Sequence, residues 1–182
     1  MDVNSPPLWL LTGERGAGKT TFCRLLAGHA RAAGWDVAGL LSPAVIEAGV
    51  KTGILVEEAR SGERRRLASA AARPPFSLPL GRWFFDPAAL AWGNIALQNC
   101  LPCDLLLVDE LGPLELLRGE GWTAAFPTLQ AAAYRLALVV VRPELEEVLR
   151  ARLPVRETIR VQSPDRLEAQ TRRWWNRLQS QS

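Results

Sequence analysis

Eight residues near the start of the chain, Gly13-Glu14-Arg15-Gly16-Ala17-Gly18-Lys19-Thr20, combine the residue types that hold a phosphate chain. Glycines let successive backbone N–H groups aim at one anion, and a helix beginning at the same place adds the positive end of its dipole. The lysine reaches β- and γ-phosphates as a point charge, and the hydroxyl beside it is a ligand for Mg²⁺. The spacing is the P-loop pattern G-x-x-x-x-G-K-[ST], with a strand signal before it and a helix signal after it. The candidate nucleotide-binding residues are Gly13, Glu14, Arg15, Gly16, Ala17, Gly18, Lys19, Thr20 and Thr21.

A phosphate loop needs a carboxylate delivered from another buried strand. Leu105-Leu106-Leu107-Val108 runs straight into Asp109-Glu110, four aliphatic residues and then two acids. Open α/β sheets bind ligands at the carboxyl ends of their strands, so an acid pair there faces the crevice. Asp109 is expected to hold Mg²⁺ through a water, with Thr20 as the other metal residue. Glu110 is expected to orient, or take a proton from, the water that attacks the γ-phosphate. An acid beside the metal-binding Asp favours water over an acceptor hydroxyl, so hydrolysis of a nucleoside triphosphate is expected ahead of phosphoryl transfer. The expected catalytic residues are Lys19, Glu110 and Arg15. Two alternatives remain open: a P-loop kinase of a nucleotide or small metabolite, and a nucleotide-switched adaptor with negligible turnover of its own.

The elements that must position these groups read as alternating strands and helices. Leu8 to Leu11 is a short buried strand ending at Thr12-Gly13. From Lys19 to about Ala33 the apolar residues Phe22, Leu25, Leu26 and Ala33 follow helical spacing, and Gly34 is the expected stop. Val37 to Leu41, Leu105 to Val108, Leu136 to Val141 and Thr158 to Val161 are further strands; helical segments lie at 123–134, 144–151 and 164–178. Gly53 to Glu58 and Arg64 to Leu67 alternate around Ser61-Gly62, a hairpin signal. Trp83-Phe84-Phe85 ends at Asp86-Pro87, where an Asp caps a helix with Pro in its first turn. Continuous apolar strands alternating with helices predict an α/β fold, a mostly parallel sheet covered on both faces, with an antiparallel hairpin addition. Residues 1–182 are expected to form one domain, with 1–6 and 179–182 as flexible ends.

Composition narrows the class. The 182 residues carry 22 basic and 19 acidic side chains, a net charge of +3 that is too mild to indicate nucleic acid. No apolar run approaches the roughly 18–20 residues of a membrane span. The first residues lack the basic and apolar regions of a secretory signal, and three cysteines do not make a disulfide framework, so a reducing cytoplasm is expected. Arginine supplies 20 of the 22 basic residues; the two lysines are Lys19 and Lys51.

The P-loop, together with Val108-Asp109-Glu110-Leu111-Gly112-Pro113-Leu114-Glu115-Leu116, resembles the small nucleoside-triphosphatases of the cancer-related NTPase family and its bacterial and archaeal, often thermophilic, branch. That family carries a D-E-[IL]-G-x-[ML]-E-L block, and the similarity runs from about Leu8 to about Gln170. The resemblance implies a RecA-like sheet and slow, Mg²⁺-dependent hydrolysis of ATP, GTP, CTP and UTP to diphosphate and phosphate, with low base selectivity. It places phosphate on Gly13 to Thr20, and metal and water on Asp109 and Glu110. Where the family has Glu-Val-Arg and then Gly-Arg-[RK], this chain reads Ala44-Val45-Ile46 and Gly49-Val50-Lys51. Ile46 supplies no guanidinium; Lys51 keeps part of the charge.

Other features favour ordinary roles. Cys100-Leu101-Pro102-Cys103 lacks partners for a zinc site and reads as a loop before the Asp109 strand. His29 falls on the apolar side of the first helix, Trp174-Trp175 dock the last helix, and Arg64-Arg65-Arg66 is a solvated strand edge. A transition-state arginine must come from Arg15, Arg82, Arg118 or Arg142. Arg15 is preferred, while Arg142 reads as surface unless the end of its strand faces the crevice. Trp83 and Phe85 are the candidate base-stacking residues.

Overall fold

The computed structural model describes residues 6–180. Its elements in chain order are β1 (Leu8–Thr12), α1 (Lys19–Ala32), β2 (Val37–Leu41), β3 (Ala44–Glu47), β4 (Val50–Glu58), β5 (Arg64–Ser69), β6 (Leu78–Leu80), β7 (Trp83–Phe85), α2 (Pro87–Gln98), β8 (Cys103–Asp109), α3 (Ala125–Ala131), β9 (Tyr134–Val140), α4 (Glu146–Arg150), β10 (Val155–Arg160) and α5 (Leu167–Gln179). Of the expected flexible ends, 1–5 and 181–182 lie outside the described residues, and Gln179 is the last residue of a helix instead.

Period-two alternation splits the aliphatic strands between two cores. Leu8 and Leu10 of β1 face one side with Leu106, Val108, Ala137 and Val139; α2, α3 and α4 cover it through Leu90, Leu97, Leu129 and Leu149. Trp9 and Leu11 face the other side with Leu105, Leu107, Leu138 and Val140, beneath Phe22 and Leu26 of α1 and Leu167 and Leu178 of α5. Burial on both faces is what a parallel strand requires, because its crossover helices must lie on the faces. The register agrees: β10, β1, β9, β8 and β2 are parallel neighbours in that order. The strand feeding the P-loop and the strand ending in Asp109 are thus separated by β9, the arrangement of a RecA-like sheet.

Beyond β2 the sheet turns antiparallel through β4, β5, β7 and β6, with β3 on the other side of β4. This extension is larger than the single hairpin the sequence implies, so the parallel part is the core of the sheet rather than most of it. The strands not expected are β6 and β3, and β3 joins β4 through a turn at Ala48-Gly49 with both φ values positive, 49° and 77°. That is a two-residue hairpin loop, normally signalled by Asn-Gly or Asp-Gly; Ala48 hides it.

The last helix docks as its tryptophans suggest. Trp174 meets Trp9 edge-on at 5.4 Å between centroids, while Trp175 meets Trp35 edge-on and stacks on half-buried His29. Aromatic pairs of this geometry add about 0.5–1.5 kcal/mol each beyond area burial. Asp86 caps α2 as expected, accepting from the Ala88 amide at 2.9 Å. None of the helices among the described residues is long and apolar enough to cross a membrane.

Candidate active site

Strand β1 ends at Thr12, α1 begins at Lys19, and the loop between them folds over the first turn of the helix. Two of its glycines are dictated by geometry. Gly13 has φ 151°, and a Cβ there would meet the Val161 carbonyl oxygen at 2.2 Å. Gly18 has φ 98°, and a Cβ would strike Leu167 Cδ1 at 2.5 Å. Side chains are excluded where the loop must lie against β10 and α5, which is why the pattern needs glycine there. Lys19 Nζ donates to the Gly13 and Glu14 carbonyls at 2.6 and 3.0 Å, curling over the loop that a phosphate would fill. Glu14, Arg15 and Thr21 are exposed; Ala17 is buried.

Asp109 closes β8 and is 2% exposed. Its Oδ2 accepts from the Ser42 amide at 3.0 Å, and its carbonyl accepts from the Ser42 hydroxyl. Burial pushes its carboxyl up to about 6, against hydrogen bonds from the Ser42 amide and the Thr20 hydroxyl; Glu110 adds to the rise and Lys19 opposes it. Thr20 and Asp109 are therefore within hydrogen-bond reach, one from each half of the site. They are hard oxygen donors of the kind Mg²⁺ takes beside phosphate oxygens, and a desolvated carboxylate is the group a divalent cation relieves most. Among the described residues no three His, Cys, Asp or Glu form a cage on their own. A cation here would share its remaining positions with phosphate and water, as Mg²⁺ does in nucleotide sites.

Glu110 lies one residue beyond, its side chain 32% exposed, and its Oε1 accepts from Arg142 Nε at 2.6 Å. Arg142 lies two residues past the end of β9, the strand between β1 and β8, so the crevice-facing alternative is the observed one. Arg142 and Arg15 line the same cavity of about 180 Å³ beside the loop, with Gly13, Glu14, Pro143 and Glu144. Of the other arginines considered, Arg118 pairs with Glu120 at 2.8 Å, and Arg82 stands 4.5 Å over the Trp83 ring. Of the two candidate base-stacking residues, Phe85 packs against the core and Trp83 is half-buried, its ring faced by Arg82.

Ser42 carried no sequence signal, and for Arg142 and Glu115 the residue was legible in the sequence but its partner was not. Ser42 holds Asp109 through its amide and hydroxyl, a job any residue type with a free N–H can half fulfil. Arg142 is one of the four candidate arginines, and its pairing with Glu110 is what the sequence does not show. Glu115 is 5% exposed and ties down the chain after the acid pair: Oε2 accepts from the Gly112 amide at 2.8 Å and Oε1 from the Trp122 amide at 2.9 Å. Beneath the loop, Cys23 is wholly buried and its thiol is pushed up by burial and by Asp109.

A phosphate loop at a helix N-terminus, facing a buried acid across one intervening strand, defines a RecA-like P-loop nucleotide hydrolase. A family model described as NTPase matches residues 9–166. The nucleoside-triphosphatase THEP1 of Ignicoccus hospitalis is 34% identical over 146 residues, 79% of this chain and 82% of that protein. Its counterpart in Methanopyrus kandleri is 31% identical over 158 residues, 86% and 81% of the two chains. The solution structure of a human cancer-related nucleoside triphosphatase matches with TM-score 0.73 at 22% identity, covering 97% of this chain and 99% of that one. The crystal structure of THEP1 from Aquifex aeolicus gives 0.65 at 14%, covering 94% and 98%. The chain belongs to the nucleoside-triphosphatase family, and the resemblance carried by its P-loop and Asp109 block is borne out.

Proposed function

We propose that this enzyme hydrolyses ATP, GTP, CTP and UTP to diphosphate and phosphate with Mg²⁺, with low base selectivity, and that Thr20 and Asp109 hold the metal while Lys19 holds the β- and γ-phosphates. The observation that carries this reading is the buried Asp109 carboxyl in hydrogen-bond reach of the Thr20 hydroxyl, with Glu110 next along the chain. The cation, when bound, neutralises charge on the β- and γ-phosphate oxygens. The loop amides of Gly13 to Thr21 orient the triphosphate. Lys19 leaves its carbonyl partners and turns to the phosphates.

Glu110 orients the attacking water through Oε2, the oxygen that Arg142 leaves free. The water oxygen bonds to the γ-phosphorus as the bond from that phosphorus to the β–γ bridging oxygen breaks. The electron pair stays on the diphosphate, and one water proton passes by way of Glu110 to the released phosphate. Arg15 and Arg142, which line one cavity beside the loop, are placed to meet charge that develops on the γ-phosphoryl oxygens. Low selectivity is supported by a loop that reads phosphates through backbone amides rather than base edges. A cytoplasmic setting is supported by Cys23, Cys100 and Cys103, all free thiols.

The test is phosphate release from the four nucleotides with Mg²⁺ and with chelator, beside a screen for phosphorylated acceptors. Glu110→Gln should keep nucleotide binding and lose about 10²-fold or more in turnover, the usual contribution of a proton-handling group. Label appearing on an acceptor instead of in free phosphate would replace the hydrolase by a kinase.

A further inference from the structure

Strand β4 outruns the strand it joins. It pairs with β2 only through Glu57 and Glu58, opposite Leu41 and Leu40. Residues 50–56 therefore continue past the carboxyl ends of the parallel strands, the ends at which Asp109, Glu110 and the phosphate loop lie. Lys51 sits on this overhang, across from Ile46 of β3. In the sheet, β8 lies between β1 on one flank and β4 on the other, so Lys51 comes to the acid pair from the side opposite Lys19.

The ammonium is held but not neutralised. Lys51 Nζ stands 5.3 Å from the centroid of the Trp83 ring, and the Arg82 guanidinium stands 4.5 Å from the same ring. Among the described residues no ion pair includes Lys51 or Arg82. Burial pulls the Lys51 ammonium below the usual lysine range; Glu110 and Asp109 pull it back up, while Arg82 and Arg142 push it further down. One electrostatic neighbourhood thus contains three cations and two carboxylates, and Arg142 already occupies Glu110. Burial is the largest cost to the ammonium, and the two carboxylates, opposed by Arg82 and Arg142, offset it only in part; an anion bound beside Lys51 would offset the rest.

We propose that Lys51 is a catalytic residue that contacts the γ-phosphoryl oxygens from the flank opposite the P-loop, with Trp83 and Arg82 as the residues that position its ammonium. The proposal rests on the hydrolase reading and adds to it a means of telling triphosphate from diphosphate, because only the triphosphate presents a γ-phosphoryl group. It also accounts for a lysine at this place in a chain that otherwise uses arginine: a compact ammonium fits beside a ring and a phosphate where a planar fork needs more room.

The experiment compares Lys51→Ala, Lys51→Arg and Trp83→Ala with wild type, by single-turnover phosphate release from Mg-ATP and by equilibrium binding of ATP and ADP. Lys51→Ala should slow release by about 10²-fold, the cost of removing one preorganised charge donor. It should lower affinity for ATP while leaving that for ADP unchanged; Lys51→Arg should recover part of both. Trp83→Ala should slow wild type but have no further effect in the Lys51→Ala background. Release within about twofold of wild type with an unchanged ATP-to-ADP affinity ratio overturns the proposal. So does an equal loss of both nucleotides with a lowered melting temperature, which would make Lys51 a support for the hairpin. A wild type that binds ATP without releasing phosphate sinks the hydrolase reading, while the affinity ratio in Lys51→Ala still decides whether Lys51 meets the γ-phosphate.

Discussion

Arg142 and Glu110, 32 positions apart in the chain, are joined by a hydrogen bond of 2.6 Å from Nε to Oε1. The pair bridges the ends of neighbouring parallel strands, β9 and β8. Each side chain is about a third exposed or less, 26% for Arg142 and 32% for Glu110. A pair so open to water contributes little to stability, about 0–1 kcal/mol, so its consequence lies in where it holds the carboxylate. Arg142→Ala is therefore expected to lower kcat by about tenfold to a hundredfold, with KM and melting temperature nearly unchanged. Steady-state kinetics beside a thermal melt decides it: a large fall in melting temperature with kcat intact would make the pair structural.

Asp109 makes function costly to the ligand-free fold. Its carboxyl is pushed from the ordinary 3.8 up to about 6 by burial, so ionisation is less favourable folded than unfolded. The folded state loses stability as pH rises from about 4 to about 6, and the full penalty, about 3 kcal/mol, is present above pH 6. Asp109→Asn should raise the melting temperature of the nucleotide-free protein at pH 7.5, and the gain should shrink below pH 5. The same variant should lose Mg²⁺-stimulated phosphate release. Melts across pH 4–8 check the sign; a variant that melts lower than wild type at neutral pH would refute it.

Glu115 controls the segment after the acid pair. Both its oxygens accept from backbone amides, Gly112 three residues before it and Trp122 seven after it, and burial pushes its carboxyl up. In Glu115→Gln the amide NH₂ must face one of those N–H donors, leaving a buried donor unpaired at a cost of about 1–3 kcal/mol. The expected result is a lower melting temperature and faster proteolysis within 110–122, with the loop loosened before the domain unfolds. Unchanged cleavage kinetics would show that other contacts hold the loop.

Cys100 and Cys103 should be slow nucleophiles. Burial pushes the Cys100 thiol up to about 11 and the Cys103 thiol up to about 12. Only thiolate reacts, so iodoacetamide should modify native protein far more slowly at pH 8 than a free cysteine, speeding up steadily through pH 10. Because the unfolded thiols ionise near 9, stability should decline above that pH. Rapid alkylation of Cys103 at pH 8 would contradict this environment. The burial that raises these thiols also fits the ordinary role expected of the C-x-x-C, although Cys103 opens β8 rather than lying in the loop before it.

The phosphate loop, its helix, the acid pair and the two-faced parallel core were legible in the sequence because each is a local pattern. Glycine spacing, a strand of aliphatics and a 3.6-residue repeat depend on neighbours along the chain, and the unbroken apolar runs of β1, β8 and β9 already state that both faces are covered. Tertiary structure alone decided what crosses between elements. It brought Ser42 to Asp109, chose Arg142 over the other arginines as partner of Glu110, turned Glu115 inward, and carried Lys51 on an overhanging hairpin into the field of both acids. Such contacts depend on strand order and on how far β4 extends past β2, and no residue type or spacing encodes either. The physical reason is that local patterns are fixed by backbone geometry and burial, whereas the meeting of side chains 32 residues apart is settled only when the sheet closes.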